Sequence, residues 1–251
     1  MHRFYLPPHE AGGDSVALTG REAHHALHVL RVRRGDEVTV LDGIGGELLC
    51  HVLNGERDRV ELTVIRRQLA PRLPCQITLV QAVPKGKIIE SLIQKATELG
   101  VARIVPLLSE RVTIRLDHQG ASHKSDKWQG IAIEAIKQCG FAWLPKVEAP
   151  ITPADFLARH EKFDLSLIAS LQPGSRHARE YFTAFQERHG RLPETACVWV
   201  GPEGDFTPAE VAAVQSAGAQ PITLGQLVLR SETAAIYCLS ILNYELQRAT
   251  V

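Results

Sequence analysis

The residues best suited to chemistry lie in two stretches near the end of the chain, GPEGDF at 201–206 and LGQLVLRSETAA at 224–235. The second stretch combines a glycine turn, a short apolar strand and a predicted helix start, with Arg230 directly before that helix. A helix N-terminus carries partial positive charge, so a cation there is locally unfavourable. We therefore predict that Arg230 is placed for function and not for helix stability.

Three loops with glycine follow predicted β-strands, at 170–174, 201–206 and 224–233. In open α/β sheets, ligands bind beyond the carboxyl ends of the strands. Glycines at 201, 204 and 225 allow the backbone to approach a ligand closely, although each alone is also ordinary turn chemistry. Together the three loops favour a binding site. Glu203 and Glu232 would either flank helix dipoles or hold a hydroxyl or amine, and the sequence leaves both open.

Apolar residues follow one periodicity up to residue 70 and another beyond it. Residues 1–70 alternate in the two-residue period of strands, with predicted strands at 3–6, 16–18, 37–41, 48–53 and 59–67, which favours a small antiparallel barrel. Thr19 and Glu22 form a T-x-x-E capping box that predicts a helix between the first strands. His24 and His28 have the spacing of a metal pair, but no third ligand is near, so we expect packed or solvated histidines and no metal.

A proline-rich break at 70–74 precedes a second sequence pattern, in which predicted strands alternate with predicted helices. This pattern is typical of an α/β domain with a parallel sheet. We predict two domains, 1–70 and 75–251, with Ser231 as the cap of the last helix. The predicted strands are 76–83, 103–108, 165–169, 196–200 and 221–224, and the predicted helices are 88–99, 124–139, 175–188, one from 208, and 231–247.

Composition limits the function further. The 28 basic and 28 acidic residues cancel, which counts against a dedicated nucleic-acid binder but leaves room for a local basic face. The five cysteines form no C-x-x-C pair, and no apolar tract reaches the length of a membrane span, so we expect a reduced, cytoplasmic protein without membrane contact. The sequence has no G-x-G-x-x-G, P-loop or G-x-S-x-G motif. Their absence counts against a dinucleotide-binding enzyme, a P-loop NTPase and an α/β hydrolase.

Several motifs, in order along nearly the whole chain, resemble one family. GPEGDFTPAE is similar to its GPEGG-F-[ST]-x-x-E motif, and LGQLVLRSETA to its LG-x-[RIL]-L-R-x-ETA motif. KGKIIESLIQKATELGV, EAIKQCG, HRFYL and HVLRVRRGDEVTVLDGIGG resemble further family segments. The chain thus resembles the RsmE-type 16S ribosomal RNA N3-uridine methyltransferases of the SPOUT class.

This resemblance implies a fold and a set of partners. It implies a PUA-like β-barrel at 1–70 that helps bind RNA, and a SPOUT α/β domain at 75–251 tied in a trefoil knot. It also implies S-adenosyl-L-methionine as methyl donor, 16S ribosomal RNA or the 30S subunit as substrate, and a homodimer with its sites at the interface. No metal is implied.

The resemblance also implies roles for particular residues. Arg230 would be catalytic, stabilising the uracil anion that forms when N3 loses its proton; no side chain is assigned to accept that proton. Candidate RNA contacts, through phosphates, are Arg31, Lys85, Lys87 and Arg111. The donor pocket would be lined by Leu171, Gly201, Glu203, Gly204, Leu224, Gly225, Leu229, Ser231, Glu232, Thr233 and Ala234.

Three positions depart from the family pattern. Phe141 and Leu227 stand where arginines are common, and Asp205 replaces the second glycine of GPEGG. Losing two arginines weakens the expectation of identical RNA docking more than that of donor binding. Two alternatives therefore stay open: a methyltransferase of this fold that acts on another RNA or base, and a catalytically silent RNA-binding factor in ribosome assembly.

Overall fold

A computed structural model describes residues 1–56, 58–113, 118–172 and 174–247, which form two compact units. The first unit comprises Met1–Arg72 together with Ile133–Leu144, and the second comprises Leu73–Ala132 and the chain from Pro145 onward. Residues 133–144 thus pack with the N-terminal unit although they follow the proline-rich break by some distance in sequence. Among the described residues, no helix is both long and apolar enough to cross a membrane.

The first unit is built on a five-stranded sheet. The strands are β1 (His2–Tyr5), β2 (Ser15–Thr19), β3 (Glu37–Leu41), β4 (Gly46–Glu56) and β5 (Arg59–Leu69). Their order is β1-β3-β4-β5-β2, and β1 runs parallel to β3 while the other pairs are antiparallel. The expected antiparallel barrel is therefore wrong in detail: the sheet is a mixed half-barrel, because β1 returns beside β3 and does not pair with β2.

The helix after β2 does not begin as its sequence predicts. It runs as α1 (Gly20–His24) and continues as a π-helix over His25–Leu30, and Thr19 makes no side-chain capping bond. The carboxylate of Glu22 instead accepts hydrogen bonds from the backbone N–H of Tyr5 (3.1 Å) and from Nζ of buried Lys137 (2.7 Å). A buried ammonium needs a charged partner, so this contact outcompetes the capping box.

His24 and His28 of this segment are exposed on the helix and lie against each other. The rings of His24 and His28 lie 4.7 Å apart at a tilted angle. Within the described ranges, no group of three or more metal-ligating side chains comes together.

The second unit contains a seven-stranded sheet in which every pair is parallel, in the order β10-β12-β9-β11-β6-β7-β8. This confirms the predicted α/β class. Its strands are β6 (Gln76–Ala82), β7 (Arg103–Leu107), β8 (Lys146–Val147), β9 (Leu165–Ala169), β10 (Arg176–His177), β11 (Thr195–Val200) and β12 (Gln220–Thr223). Its helices are α2 (Ile88–Glu98), α3 (His118–Cys139, which passes into the first unit), α4 (Pro153–Leu157), α5 (Ala178–His189), α6 (Pro208–Ser216) and α7 (Ser231–Leu246).

Two helix starts differ from the prediction. Residues 176–177 form the edge strand β10 and not the first turn of a helix, and α5 begins after His177, which caps it together with Glu180. Helix α3 begins at His118, before the predicted start at 124. By contrast, α6 begins where the sequence predicts a helix, and Thr207 and Glu210 form a capping box at its start.

Apolar residues cover both faces of the parallel sheet. On one face Trp199 of β11 packs edge-on against Phe156 of α4, with ring centroids 5.1 Å apart, and against Phe206. On the other face α5 and α7 meet the sheet through Phe182 and Leu242. Because adjacent parallel strands end at the same edge, the loops that follow β12, β9, β11 and β6 converge there.

Candidate active site

A cavity of about 490 Å³ lies at the carboxyl edge of the parallel sheet. Its walls are the three loops that follow β9, β11 and β12, together with the first turn of α7. A cavity of roughly 300–1,000 Å³ is the usual size for a small-molecule or cofactor site. The convergence predicted from the three glycine loops is thus present in the fold.

Most of the predicted donor-pocket residues line this cavity, and three do not. Gly204 lies beside Arg111, which donates to its carbonyl oxygen, while Glu232 and Thr233 face a separate depression between α2 and α7. The predicted donor-pocket residues that lie along this cavity are Leu171, Gly201, Glu203, Leu224, Gly225, Leu229, Ser231 and Ala234.

Ser231 joins two segments of the cavity wall through hydrogen bonds and does not cap α7. The N-cap position is Arg230, and Ser231 is 5% exposed. Its Oγ accepts a hydrogen bond from Nε2 of Gln81 (2.9 Å) and donates one to the carbonyl oxygen of Gly201 (2.5 Å). The prediction that Ser231 caps the helix was wrong, because its hydroxyl is hydrogen-bonded to two buried partners, one from β6 and one from the loop after β11.

Gln81 itself is fully buried at the end of β6. Its Nε2 also donates to the carbonyl oxygen of Ala82 (2.7 Å), whereas its Oε1 has no hydrogen-bond partner among the described residues. Buried polar atoms are normally paired. No local pattern pointed to Gln81, since the role of a glutamine inside an apolar strand depends on a partner that is distant in sequence.

The loop after β11 is tightly constrained. A Cβ added to Gly201 would come within 2.9 Å of Oδ1 of Asp205 and 3.2 Å of the Phe206 nitrogen, so the loop excludes a side chain there. Asp205 has φ of +61°, a left-handed conformation that glycine adopts more easily, and its Oδ1 accepts from the backbone N–H of Phe206 (2.8 Å). Glu203 accepts a hydrogen bond from the backbone N–H of Lys85 (3.0 Å).

The opposite wall has an apolar rim. Leu171, Leu227 and Val228 are 62%, 76% and 79% exposed at the cavity mouth, and Gly225 has φ of +105°. The loop after β9 also contributes polar side chains to the cavity. These residues belong to no motif, although the loop's place after a strand indicated a site. These additional lining residues are Ser170, Gln172 and Ser175.

Arg230 lies between two cavity residues, Leu229 and Ser231, but does not line the cavity itself. Its side chain is exposed and has no hydrogen bond or ion pair with any residue the structure describes. Since no carboxylate of the described residues pairs with the guanidinium, it is available to a ligand.

Two family models match the chain in the same order as its two units. The model described as "RNA methyltransferase PUA domain" matches residues 18–65, and the one described as "RNA methyltransferase domain" matches residues 71–243. The chain belongs to the RNA methyltransferase family.

Relatives and solved structures agree with this family. Ribosomal RNA small subunit methyltransferase E of Bacillus subtilis is 31% identical over 92% of this chain and 90% of that protein. A ribosomal RNA small subunit methyltransferase E from Neisseria gonorrhoeae, solved bound to S-adenosyl methionine, is 30% identical over 97% of both chains with a TM-score of 0.83. A Legionella pneumophila methyltransferase solved with the same cofactor is 32% identical over 96% of both chains, with a TM-score of 0.86.

Three of the four predicted RNA contacts lie on the parallel-sheet unit of this methyltransferase fold. Lys85 and Lys87 are exposed in the loop between β6 and α2, and Arg111 lies beside the β11 loop. Arg31 belongs to the other unit, where it is exposed and ends the π-helix with φ of +55°. The structure therefore groups Lys85 and Arg111 around the GPEGDF loop and leaves Arg31 in the PUA unit.

Proposed function

We propose that this protein is an S-adenosylmethionine-dependent methyltransferase that methylates a uridine at N3 in the 16S ribosomal RNA of the small subunit. The observation that carries the proposal is the cavity formed by three strand-end loops, in a chain whose relatives include a ribosomal RNA methyltransferase solved with this donor.

The cavity residues fit the donor chemically. Backbone groups of the glycine-bearing loops after β11 and β12 offer donors and acceptors that can read an adenine edge, and Leu171, Leu224 and Leu229 offer apolar walls. The buried Gln81–Ser231–Gly201 hydrogen bonds hold two of these walls in place before any ligand arrives. Preorganisation of this kind lowers the cost of binding. A role for Gly204, Glu232 and Thr233 in donor binding stays a prediction.

The bound donor supplies an electrophilic methyl group on a sulfonium. The chain's own task is to bind the uridine beside it and to favour the N3 anion. Arg230 suits that task, because its guanidinium is exposed, unpaired among the described residues and adjacent to the cavity. A fixed cation near the ring oxygens stabilises developing negative charge. This role also explains why an arginine occupies a helix N-cap that disfavours cations.

Lys85, Lys87, Arg111 and Arg31 are proposed to contact RNA phosphates. Phosphate contacts position a protein on nucleic acid without reading sequence. Arg111 already donates to the carbonyl oxygen of Gly204, so its guanidinium would link the RNA to the GPEGDF loop.

The decisive experiment is methyl transfer to 16S RNA, free and in 30S particles, isolated from a strain that lacks this modification. Mass-spectrometric mapping of nucleosides should find 3-methyluridine. Methylation of another base or RNA would overturn the uridine-N3 assignment. Donor binding by calorimetry with no methylation of any RNA would make the protein a silent assembly factor.

For Arg230→Ala we expect kcat to fall by roughly 10²- to 10³-fold, the usual effect of removing a charge-stabilising donor. Donor affinity measured by calorimetry should stay within about twofold, since Arg230 does not line the cavity. Arg179→Ala, which removes another exposed arginine outside the cavity lining, is the matched control. Equal loss of donor binding in Arg230→Ala would reassign the residue to the cofactor.

We also propose that the protein works as a homodimer through the depression between α2 and α7. Tyr237 is 44% exposed there beside Ile236 and Leu92. Tyr237→Glu should give a monomer by analytical ultracentrifugation, whereas Tyr244→Glu, 77% exposed outside the depression, should not. A dimer that survives Tyr237→Glu contradicts this surface. Leu239 is unsuitable for this test, because at 1% exposure it reports on folding.

The finer fold assignment is likewise a proposal: we infer that the chain from 201 to 235 forms the trefoil knot of the SPOUT class. Its support is that Ser231 is buried between the end of β6 and the loop after β11, two segments far from it in sequence. True knots are rare, so general topology rules do not predict one. An experimental structure traced through residues 70–247 would decide it.

A further inference from the structure

A second recess, of about 850 Å³, lies in the α/β unit and shares no lining residue with the donor cavity. It lies between α5 and α6 at the β9–β12 side of the sheet, and we name it the edge groove. Part of its wall is one face of α5, formed by Tyr181, Ala184, Phe185 and Arg188. At 1.5 Å per residue this face is about 10 Å long.

The edge groove carries uncompensated positive charge. Lys162, Arg176 and Arg188 line it, and their exposed side chains have no hydrogen bond or salt bridge with the described part of the chain. This local excess contrasts with the zero net charge of the whole chain. Unpaired cations in a concave surface concentrate the field toward an anionic ligand.

The two acidic residues in the groove are already neutralised. Glu161 is paired with Arg103 and Arg159, and hydrogen bonding to Arg103 lowers its pKa. Asp164 accepts two hydrogen bonds from Arg191, at 2.8 and 3.0 Å, which lower the pKa of its carboxyl group to about 2. Neither carboxylate therefore offsets the charge of Lys162, Arg176 and Arg188.

The groove also has an aromatic wall. Phe163, Tyr181 and Phe185 are half-buried along it. The Tyr181 hydroxyl donates to the carbonyl oxygen of Pro221 (3.2 Å), and the Phe185 ring stacks on His189 with centroids 4.3 Å apart. These contacts hold the rings in place. A positive groove with fixed aromatic side chains is the combination that binds single-stranded nucleic acid with little sequence preference.

The chain connects the groove to the donor cavity. Ser175 lines the cavity, and the next residue, Arg176, lines the groove. Arg176 is therefore one residue along the chain from the lining of the donor cavity.

We propose that the edge groove binds a single-stranded segment of the RNA substrate through phosphate contacts from Lys162, Arg176 and Arg188. The inference rests on the proposed function for the identity of the RNA. The groove extends the RNA-binding surface from the loops around the donor cavity to the side of the sheet.

Fluorescence anisotropy with a labelled oligouridylate of about 12 nucleotides tests the groove directly, since such sites span roughly 4–16 nucleotides. The affinity is measured between about 50 and 200 mM salt for Arg176→Gln and Arg188→Gln. Each lost phosphate contact should reduce the slope of log K against log salt by about 0.7, which is a roughly fivefold loss of affinity near 0.1 M salt.

The matched control is Arg179→Gln. Arg179 is exposed on the same helix, pairs with Glu245 and lies outside the groove. It should keep the wild-type slope. Wild-type slopes and affinities in both Arg176→Gln and Arg188→Gln would overturn the proposal. Displacement of the oligouridylate by polyglutamate at equal charge concentration would also overturn it, in favour of an acidic protein partner.

Two further readouts separate this proposal from the proposed function. Donor affinity by calorimetry should be unchanged in Arg188→Gln, because Arg188 is remote from the donor cavity lining. If the wild-type protein methylates 16S RNA but the variants keep wild-type anisotropy, only the groove assignment fails. If wild-type protein methylates no RNA, the oligouridylate measurement still decides whether the groove binds nucleic acid.

Discussion

Replacing Ser231 by alanine should destabilise the protein by roughly 3–5 kcal/mol. The hydroxyl makes two buried hydrogen bonds, to Gln81 and Gly201, each worth about 1 kcal/mol net. Its loss also leaves one N–H of the fully buried Gln81 amide unpaired, which adds about 1–3 kcal/mol. A serine that only capped the helix would contribute about 1 kcal/mol.

Urea unfolding of a double-mutant cycle separates these two roles. In a Gln81→Met background the unpaired N–H and the Gln81–Ser231 hydrogen bond are both absent, so Ser231→Ala should cost about 2–4 kcal/mol less than in the wild-type protein. Ser216→Ala, an exposed serine at the end of α6, should change stability by less than about 0.5 kcal/mol. If Ser231→Ala lowers the free energy of unfolding by less than about 1 kcal/mol and shows no coupling to Gln81, Ser231 does not hold the two segments together.

Three further predictions follow from other parts of the structure. Asp164→Asn should lower the free energy of unfolding at pH 7, because the Arg191 hydrogen bonds depress the carboxyl pKa of Asp164 from 3.8 to about 2. In acid-unfolding curves the difference from the wild-type protein should vanish as the pH falls from about 4 to 2. Asp205→Ala should be less stable than Asp205→Gly by about 1 kcal/mol in urea, because φ is +61° and alanine tolerates that conformation poorly. Iodoacetamide should modify exposed Cys139 rapidly and the four buried cysteines only after denaturation, as intact mass spectrometry would report; burial raises the pKa of Cys238 to about 12.

Local sequence patterns predicted most of the secondary structure. The β3 and β9 bounds at 37–41 and 165–169 match the prediction, because a short apolar run between turn residues is a local signal. The Thr207–Glu210 capping box also formed, since both partners lie within one helical turn.

The two predicted helix caps that did not form, at Thr19 and at Ser231, share one cause, which is competition from distant partners. Thr19 and Glu22 have the same pattern as Thr207 and Glu210, yet Glu22 bonds to Lys137, 115 residues away. A buried ammonium requires a charged partner more strongly than a helix end requires a cap. Nothing within the first 30 residues signals that Lys137 will be near.

The sequence by itself determined the parallel α/β class, the position of the glycine-bearing loops after their strands, and an arginine at an unfavourable helix start, because these depend on periodicity and neighbouring residues. Only the tertiary structure decided that the three loops share one cavity, that Ser231 joins Gln81 to Gly201, and that Arg176 and Arg188 face one groove. Strand order and sheet register set those distances, and both are fixed by burial over the whole chain and not by any local segment.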